Sequence, residues 1–492
     1  MTPTQEERSI AYHTVTLGAL TREGHALAEI SEQDEAGHQH TRILSVPAGL
    51  PGERVTIAVE APPQPRPGRH RRRWKPRSPR VWITEIHQPS PLRVEAPCPV
   101  FGTCGGCQLQ HMHYSAQLEW KRDVVRQLLH DIGGFEDPPM QATVPCDIPW
   151  HYRNHMRFSV NRLGQPGLTA RGSHRVLPLT ECPIAHEQIN RVLKVLSQHV
   201  NPQPQALIRC ATVSNQILIQ PAPGEQVAQQ LAETGLELHT ETMEEILAGA
   251  TFRIRPSSFF QTNTAQAEKM AQIVLNGLLS SPATLNLNRD LSPSVGAQFI
   301  APAAPTLATP TPATSAPSAP VPATPSLTIV DAYCGVGTFA LLLARHVGKV
   351  IAIEESASAI KDAQWNAREV DNIEILKGKV EDILPTLTSE IDGFIIDPPR
   401  AGCQQIVLDT LIQHPVLRIV YVSCDPSTLA RDLHILCHQH PTYRLCSVQP
   451  LDMFPQTAHI ECIAVLERVQ GTADAINRGT ADAINRVPTF AQ

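Results

Sequence analysis

Leu327-Thr328-Ile329-Val330-Asp331-Ala332-Tyr333-Cys334-Gly335-Val336-Gly337-Thr338-Phe339 starts as an apolar run and passes through two glycines into a helical stretch, Ala340–His346. A short apolar run bounded by turn residues is the pattern of a strand buried on both faces in a parallel sheet. Glycines at the turn let the backbone approach a nucleotide-like ligand at the helix N-terminus. Val350-Ile351-Ala352-Ile353-Glu354 reads as the next strand and ends in an acid seventeen residues after Gly337. A carboxylate at that distance is placed to bind ribose hydroxyls. The glycine pattern stops short of G-x-G-x-x-G, since residue 340 is alanine, which favours an adenosyl ligand over a dinucleotide.

Two later stretches repeat the strand-then-turn pattern. Gly393-Phe394-Ile395-Ile396-Asp397-Pro398-Pro399-Arg400-Ala401-Gly402 places Asp397 at a strand end, able to accept hydrogen bonds from a polar substrate. Ile419-Val420-Tyr421-Val422-Ser423-Cys424-Asp425-Pro426 places a thiol at another, with Pro426 suited to the first turn of a helix. Ligands of open α/β sheets gather at the carboxyl ends of the strands. A helix N-terminus is one of the environments that lowers a thiol's pKa from ~8.5; a buried core cysteine is the competing reading of Cys424. The alternation of strands and helices from Leu327 onward predicts an α/β fold with a doubly wound parallel sheet.

Upstream, residues 8–95 show short alternating runs with turn signals, such as Thr41–Pro47 and Glu53–Val59, which suggest a small OB-like β-barrel. Residues 96–255 are mixed, with a helical Gln117–Leu129 and a strand-like Arg153–Asn161. Within them Cys98-x5-Cys104-x2-Cys107 lies among glycines, and Cys182 is a fourth candidate thiolate. This set suits a four-thiolate site; spacing alone leaves iron–sulfur and zinc open, although a zinc ribbon usually has two C-x2-C pairs. Twelve cysteines in 492 residues are too sparse for a disulfide scaffold.

The formal charge of −6 conceals an asymmetry. Residues 66–80 carry seven Arg, one Lys and no acid; without them the remaining 33 basic and 47 acidic residues give −14. A basic cluster on an acidic chain points to a polyanion, against the plainer reading of a solvated loop. Residues 280–326, with ten prolines between Pro282 and Pro325, read as an unstructured insertion, and the octapeptide at 471–478 repeated at 479–486 as a dispensable tail. No signal-peptide pattern and no long apolar run are present, so the expectation is a cytoplasmic protein with no membrane partner, and a monomer.

With these motifs in order, the chain resembles the RNA uracil-5-methyltransferase family, in particular its iron–sulfur members acting on 23S ribosomal RNA. The likeness runs from the barrel, whose Leu50-Pro51-Gly52-Glu53-Arg54-Val55 resembles a TRAM domain, to about Arg468. It implies a TRAM barrel over 8–95 and a central RNA-binding domain over 96–255, holding a [4Fe-4S] cluster on Cys98, Cys104, Cys107 and Cys182. It implies a class I (Rossmann-like) S-adenosylmethionine methyltransferase domain over 256–468 and a tail over 469–492. Phe252–Asn263 matches the segment whose glutamine, Gln261, contacts S-adenosylmethionine, and Tyr333, Glu354 and Asp397 match residues lining that cofactor. Ser423-Cys424-Asp425-Pro426 with Arg431-Asp432 matches the nucleophile motif, and His459-Ile460-Glu461-Cys462 the motif of the general base, Glu461. In enzymes that methylate exocyclic amines an aromatic residue usually follows the Pro-Pro pair; Arg400 argues against that chemistry.

Carbon 5 of uracil is a poor nucleophile, so the implied chemistry needs a thiolate to add at carbon 6 and a base to remove the proton at carbon 5. Glu461 lies in a mostly apolar stretch, where desolvation should raise its pKa. The alternatives are a transfer-RNA uracil-5 methyltransferase, an RNA cytosine-5 methyltransferase, and a catalytically silent RNA-binding protein; the presence of both Cys424 and Glu461 weighs against the last.

Overall fold

The computed structural model describes residues 10–33, 38–61, 79–279 and 327–469. The readings of the basic stretch up to residue 78, of the 280–326 insertion and of the tail from residue 470 lie outside the described residues.

Five strands open the chain: β1 (Ile10–Thr16), β2 (Ala26–Gln33), β3 (Gln39–Val46), β4 (Arg54–Glu60) and β5 (Arg80–Gln88). β4 pairs antiparallel with β1 and β5, and β2 with β3. Alternate residues Ala26, Ala28 and Ile30 of β2, Leu44 and Val46 of β3, and Val55, Ile57 and Val59 of β4 are buried in one core. That period of two buries one face of each strand and closes the two sheets on each other. Glu53, fully buried, accepts hydrogen bonds from Arg93, Ser90 N–H and Leu50 N–H, and so ties this β module to the segment that follows.

The middle of the chain supplies α1 (Tyr114–Asp131), then β6 (His155–Val160), β7 (Pro166–Thr169), β8 (Val176–Pro178), α2 (Glu187–Ser197), β9 (Gln205–Cys210), β10 (Gln216–Gln220), α3 (Glu225–Glu233) and β11 (Glu237–His239). The strands form one sheet in the order β11-β10-β9-β6-β7-β8. A hairpin, β12 (Met243–Leu247) and β13 (Ala250–Ile254), leads to α4 (Thr264–Leu279).

The rest is built on β14 (Thr328–Ala332), α5 (Thr338–Leu343), β15 (Lys349–Glu354), α6 (Ala357–Asn366), β16 (Ile373–Lys377), α7 (Val380–Ile383), β17 (Gly393–Ile396), α8 (Gln405–Gln413), β18 (Arg418–Ser423), α9 (Pro426–His434), β19 (Tyr443–Leu451) and β20 (Glu461–Arg468). The seven strands order as β16-β15-β14-β17-β18-β20-β19. The first five are parallel and β20 runs antiparallel to both its neighbours. This is the class I, Rossmann-like methyltransferase sheet. The sequence predicted a doubly wound parallel sheet, which the first five strands form; residues 452–460, which join β19 to β20, are too few for a crossover helix, so the last pair is antiparallel. Continuous apolar runs reflect burial on both faces: Val420 and Val422 enter the core beneath α4, while Ile419 and Tyr421 enter the opposite core with Leu408, Leu433 and, from α1, Val125 and Leu129. Among the described residues no helix is long and apolar enough to cross a membrane.

Candidate active site

The carboxyl edge of the seven-stranded sheet carries five of the sequence-predicted residues on five consecutive strands. Glu354 ends β15, Tyr333 follows β14, Asp397 follows β17, Cys424 follows β18, and Glu461 opens the antiparallel β20. Ser423 pairs with Cys462 in register, which sets Cys424 and Glu461 side by side at the edge.

On the β14–β15 side, Gly335 and Gly337 hold φ of 58° and 83°, and Tyr333 adopts φ 64°, a region that non-glycine residues rarely enter. The Glu354 carboxylate shapes this turn, accepting from Gly335 N–H at 2.9 Å and Ser356 N–H at 2.7 Å. Beneath it the buried Asp331 accepts from Ala340 N–H at 2.8 Å at the start of α5, while its other oxygen has no partner among the described residues. Burial pushes its pKa up to about 8. The Tyr333 hydroxyl donates to Glu381 at 3.0 Å.

Gln261 stands on the loop between β13 and α4. Asp362 of α6 accepts from Arg255 N–H at 2.9 Å and from Ser258 Oγ at 2.6 Å, and pairs with the Arg255 guanidinium, so the loop is fastened to the helix that follows Glu354. Asn154 reaches the loop from the central segment, its side chain donating to the Gln261 carbonyl at 3.2 Å. The Gln261 side chain itself makes no hydrogen bond among the described residues.

At Cys424 the helix start is as expected: Pro426 occupies the first turn of α9 and Asp425 caps it, accepting from Ser427 N–H at 2.9 Å. The lowered thiol pKa is not. Burial, then the nearby Glu461 and Asp397 carboxyls, push Cys424 up to about 11, against an opposing pull from Arg400. Burial likewise raises Asp397 to about 7 and holds Glu461 well above the ordinary carboxylate range, as the sequence predicted for Glu461. His459 is pushed down to about 4, first by burial and then by Arg400, so it is neutral at pH 7. Asp432, buried in α9, accepts from Tyr421 Oη at 2.7 Å and Cys403 N–H at 2.9 Å and pairs with Arg431, locking the helix that follows Cys424 onto β18.

Cys424 opens onto a cleft of about 430 Å³ whose walls come from the whole chain: Arg22 and His25 from the β module, Gln108 and Arg171 from the central segment, Arg400 and His459 from the catalytic sheet. Arg22 donates to Ser427 Oγ at 2.7 Å. Sequence reading missed Arg22, His25 and Arg171; nothing beyond the turn at Gly24 marked them.

Cys98, Cys104, Cys107 and Cys182 line one separate cavity of about 240 Å³. Burial drives Cys107 up to about 12 and Cys182 up to about 11, and in each case the other thiols of the set add to the rise. With their pKa values raised, Cys107 and Cys182 are thiols near neutral pH and would have to lose their protons to act as ligands; Gly106 N–H donates to Cys104 Sγ at 3.4 Å. By residue type the four cysteines suit an iron–sulfur cluster, but among the described residues their side chains are not gathered as a ligand set. Among the described residues no three His, Cys, Asp or Glu side chains stand in an arrangement that could hold a metal ion.

Residues 323–469 match the tRNA (Uracil-5-)-methyltransferase family. An uncharacterized RNA methyltransferase of Gloeobacter violaceus is 33% identical over 437 residues, covering 78% of this chain and 85% of its own length. Another, from Halalkalibacterium halodurans, is 31% identical and covers 92% of this chain and 96% of its own. Among solved structures, the Pyrococcus abyssi tRNA (uracil-54, C5)-methyltransferase in complex with S-adenosyl-L-homocysteine has a TM-score of 0.60 at 22% identity, covering 92% of this chain and 99% of that one. At that identity the likeness shows a shared fold.

Proposed function

Because the chain belongs to the RNA (uracil-5-)-methyltransferase family, we propose that Cys424 and Glu461 carry out methyl transfer from S-adenosylmethionine to carbon 5 of a uridine through a covalent cysteine–uracil intermediate. The observation that carries the reading is the row of Glu354, Tyr333, Asp397, Cys424 and Glu461 on five consecutive strands.

S-adenosylmethionine, when bound, supplies an electrophilic methyl on a sulfonium. Glu354 with the glycine turn, Tyr333, Asp397 and Gln261 are assigned to hold it. The Cys424 thiolate adds to carbon 6 of uracil, and the electron pair this displaces makes carbon 5 nucleophilic. After the methyl is accepted, the Glu461 carboxylate takes the proton from carbon 5, and the C–S bond to Cys424 breaks to restore the ring. A carboxyl held above its ordinary pKa is a stronger base once ionised, and positioned general bases contribute about 10²–10⁴-fold. The target base must leave its stack to reach Cys424. Cys98, Cys104, Cys107 and Cys182 are assigned as ligands of a [4Fe-4S] cluster that pins the central segment, and the β module as a TRAM-type RNA binder.

For the substrate the reading favours transfer RNA. The family matched over 323–469 and the Pyrococcus abyssi protein are both named for tRNA; the 23S ribosomal RNA expected from the motifs gains no support from either. The test is methyl transfer to unmodified tRNA and to 23S transcripts, followed by nucleoside mapping. 5-Methyluridine in tRNA is expected; methylcytidine, or no product on either RNA, would reject the reading.

A further inference from the structure

A second groove begins where the catalytic cleft ends. It has a volume of about 1200 Å³ and runs between β5 of the β module and the 170–175 turn of the central segment. His25 and Arg171 line both spaces, so the two adjoin at this pair. Arg171 is fixed at the junction: its guanidinium donates to His25 Nε2 at 2.8 Å, and His25 Nδ1 meets Ser45 Oγ at 2.9 Å. Burial and the Arg171 charge hold His25 below its ordinary pKa, so it stays neutral and accepts from the cation. Beyond the junction the groove carries Trp82, with the Arg80 guanidinium 5.3 Å from its ring centre, and the exposed Arg175 on the facing wall. Glu60 and Glu85 are the acids on the same walls.

We propose that the unpaired flank of the substrate RNA leaves the Cys424 cleft over the His25–Arg171 pair and lies in this groove, with one base stacked at Trp82 and phosphates met by Arg171 and Arg175. This rests on the methyltransferase reading for which strand enters, but the groove's chemistry stands by itself. An aromatic face beside spaced cations is how single strands are held without sequence choice. Arg171 delivers the bend: a cation at the threshold of two cavities can take the phosphate that follows a base turned into the first. Double-stranded RNA lacks the free base faces that such a platform stacks.

The test uses the intact protein and fluorescein-labelled oligouridylates of about 4 and about 12 nucleotides, spanning the range one such module covers. The wild type should bind the longer RNA more tightly. W82A should lose roughly 5- to 100-fold on the longer RNA and little on the shorter one. R175Q, at an exposed position, should reduce the log–log salt slope by about 0.7 for the long RNA. R171Q should weaken both lengths, and its iron content is measured alongside because Arg171 lies near Cys104. Equal affinity for both lengths, or a W82A protein with wild-type affinity and an R175Q protein with wild-type salt slope, overturns the proposal. Methyl transfer to tRNA by the same proteins keeps the two readings apart: product formed with no length dependence removes the groove alone, while length-dependent binding without product removes the reaction alone.

Discussion

On the proposed reading Cys424 and Glu461 divide the chemistry between them, and each makes its own prediction. Cys424→Ala should abolish methyl transfer while cofactor binding stays near wild type, since the thiol attacks the base and need not touch the sulfonium; a variant with substantial turnover would remove the covalent route. Glu461→Gln should trap a protein–RNA adduct that survives denaturing electrophoresis, because the methylated intermediate keeps its carbon 5 proton; rapid turnover instead would release Glu461 from the role. The raised thiol adds a pH signature. With Cys424 near 11, only about one enzyme in 10⁴ holds a thiolate at pH 7. The ionised form is the reactive one, so kcat/KM, which reports the free enzyme, should climb about tenfold per pH unit from 7 upward. A flat profile between pH 7 and 9 would mean that the thiol is already ionised. At this scale the sequence was most legible, because strand ends, glycines and the Pro-Pro turn are local signals. The direction of the thiol's shift was not legible, since it depends on Asp397 and Glu461, 27 and 37 residues away in the chain.

Between elements, the catalytic sheet is joined to the rest by buried polar contacts that no periodicity announces. Lys121 of α1 and Asp452, after β19, are both fully buried and meet at 2.6 Å, and Tyr114 Oη donates to the same carboxylate at 2.8 Å. The sequence marks Lys121 only as part of the helical Gln117–Leu129 stretch. Its partner lies 331 residues away, so only the fold reveals the pair. Lys121→Ala leaves an uncompensated buried carboxylate and should destabilise by about 3–5 kcal/mol in urea titration. A loss below about 1 kcal/mol, the worth of an exposed pair, would show that water reaches Asp452. The loop of Cys98, Cys104 and Cys107 carries a second prediction. Protein purified without oxygen should be brown, with broad absorption near ~400 nm and about four irons per chain. Cys107→Ser should lose both; zinc in place of iron would mean a closed single-ion site.

Across the whole molecule, the sequence separates the β module, the cysteine-bearing segment and the catalytic sheet by their patterns, but not the way they share one cleft. Arg22, His25 and Arg171 sit in ordinary polar turns and become cleft residues only when three parts of the chain converge on Cys424. The charge distribution points the same way. A chain of net −6, and of −14 without residues 66–80, repels RNA except where its cations are gathered. Residues up to 78 of that stretch lie outside the described structure, yet Arg80 at its end enters the groove beside Trp82. Cations on the phosphates hold a strand without reading its sequence. Replacing all eight basic residues of 66–80 with Ser or Gln should therefore weaken cognate and unrelated RNAs alike, and flatten the salt dependence by roughly 0.7–0.9 for each phosphate that is no longer neutralised. Methylation should stay confined to the same uridine, because the site that turns the base toward Cys424 is untouched. If affinity and salt slope both hold at wild-type values, the cleft's cations with Arg171 and Arg175 bind the RNA without Arg80, and the basic stretch is a bystander.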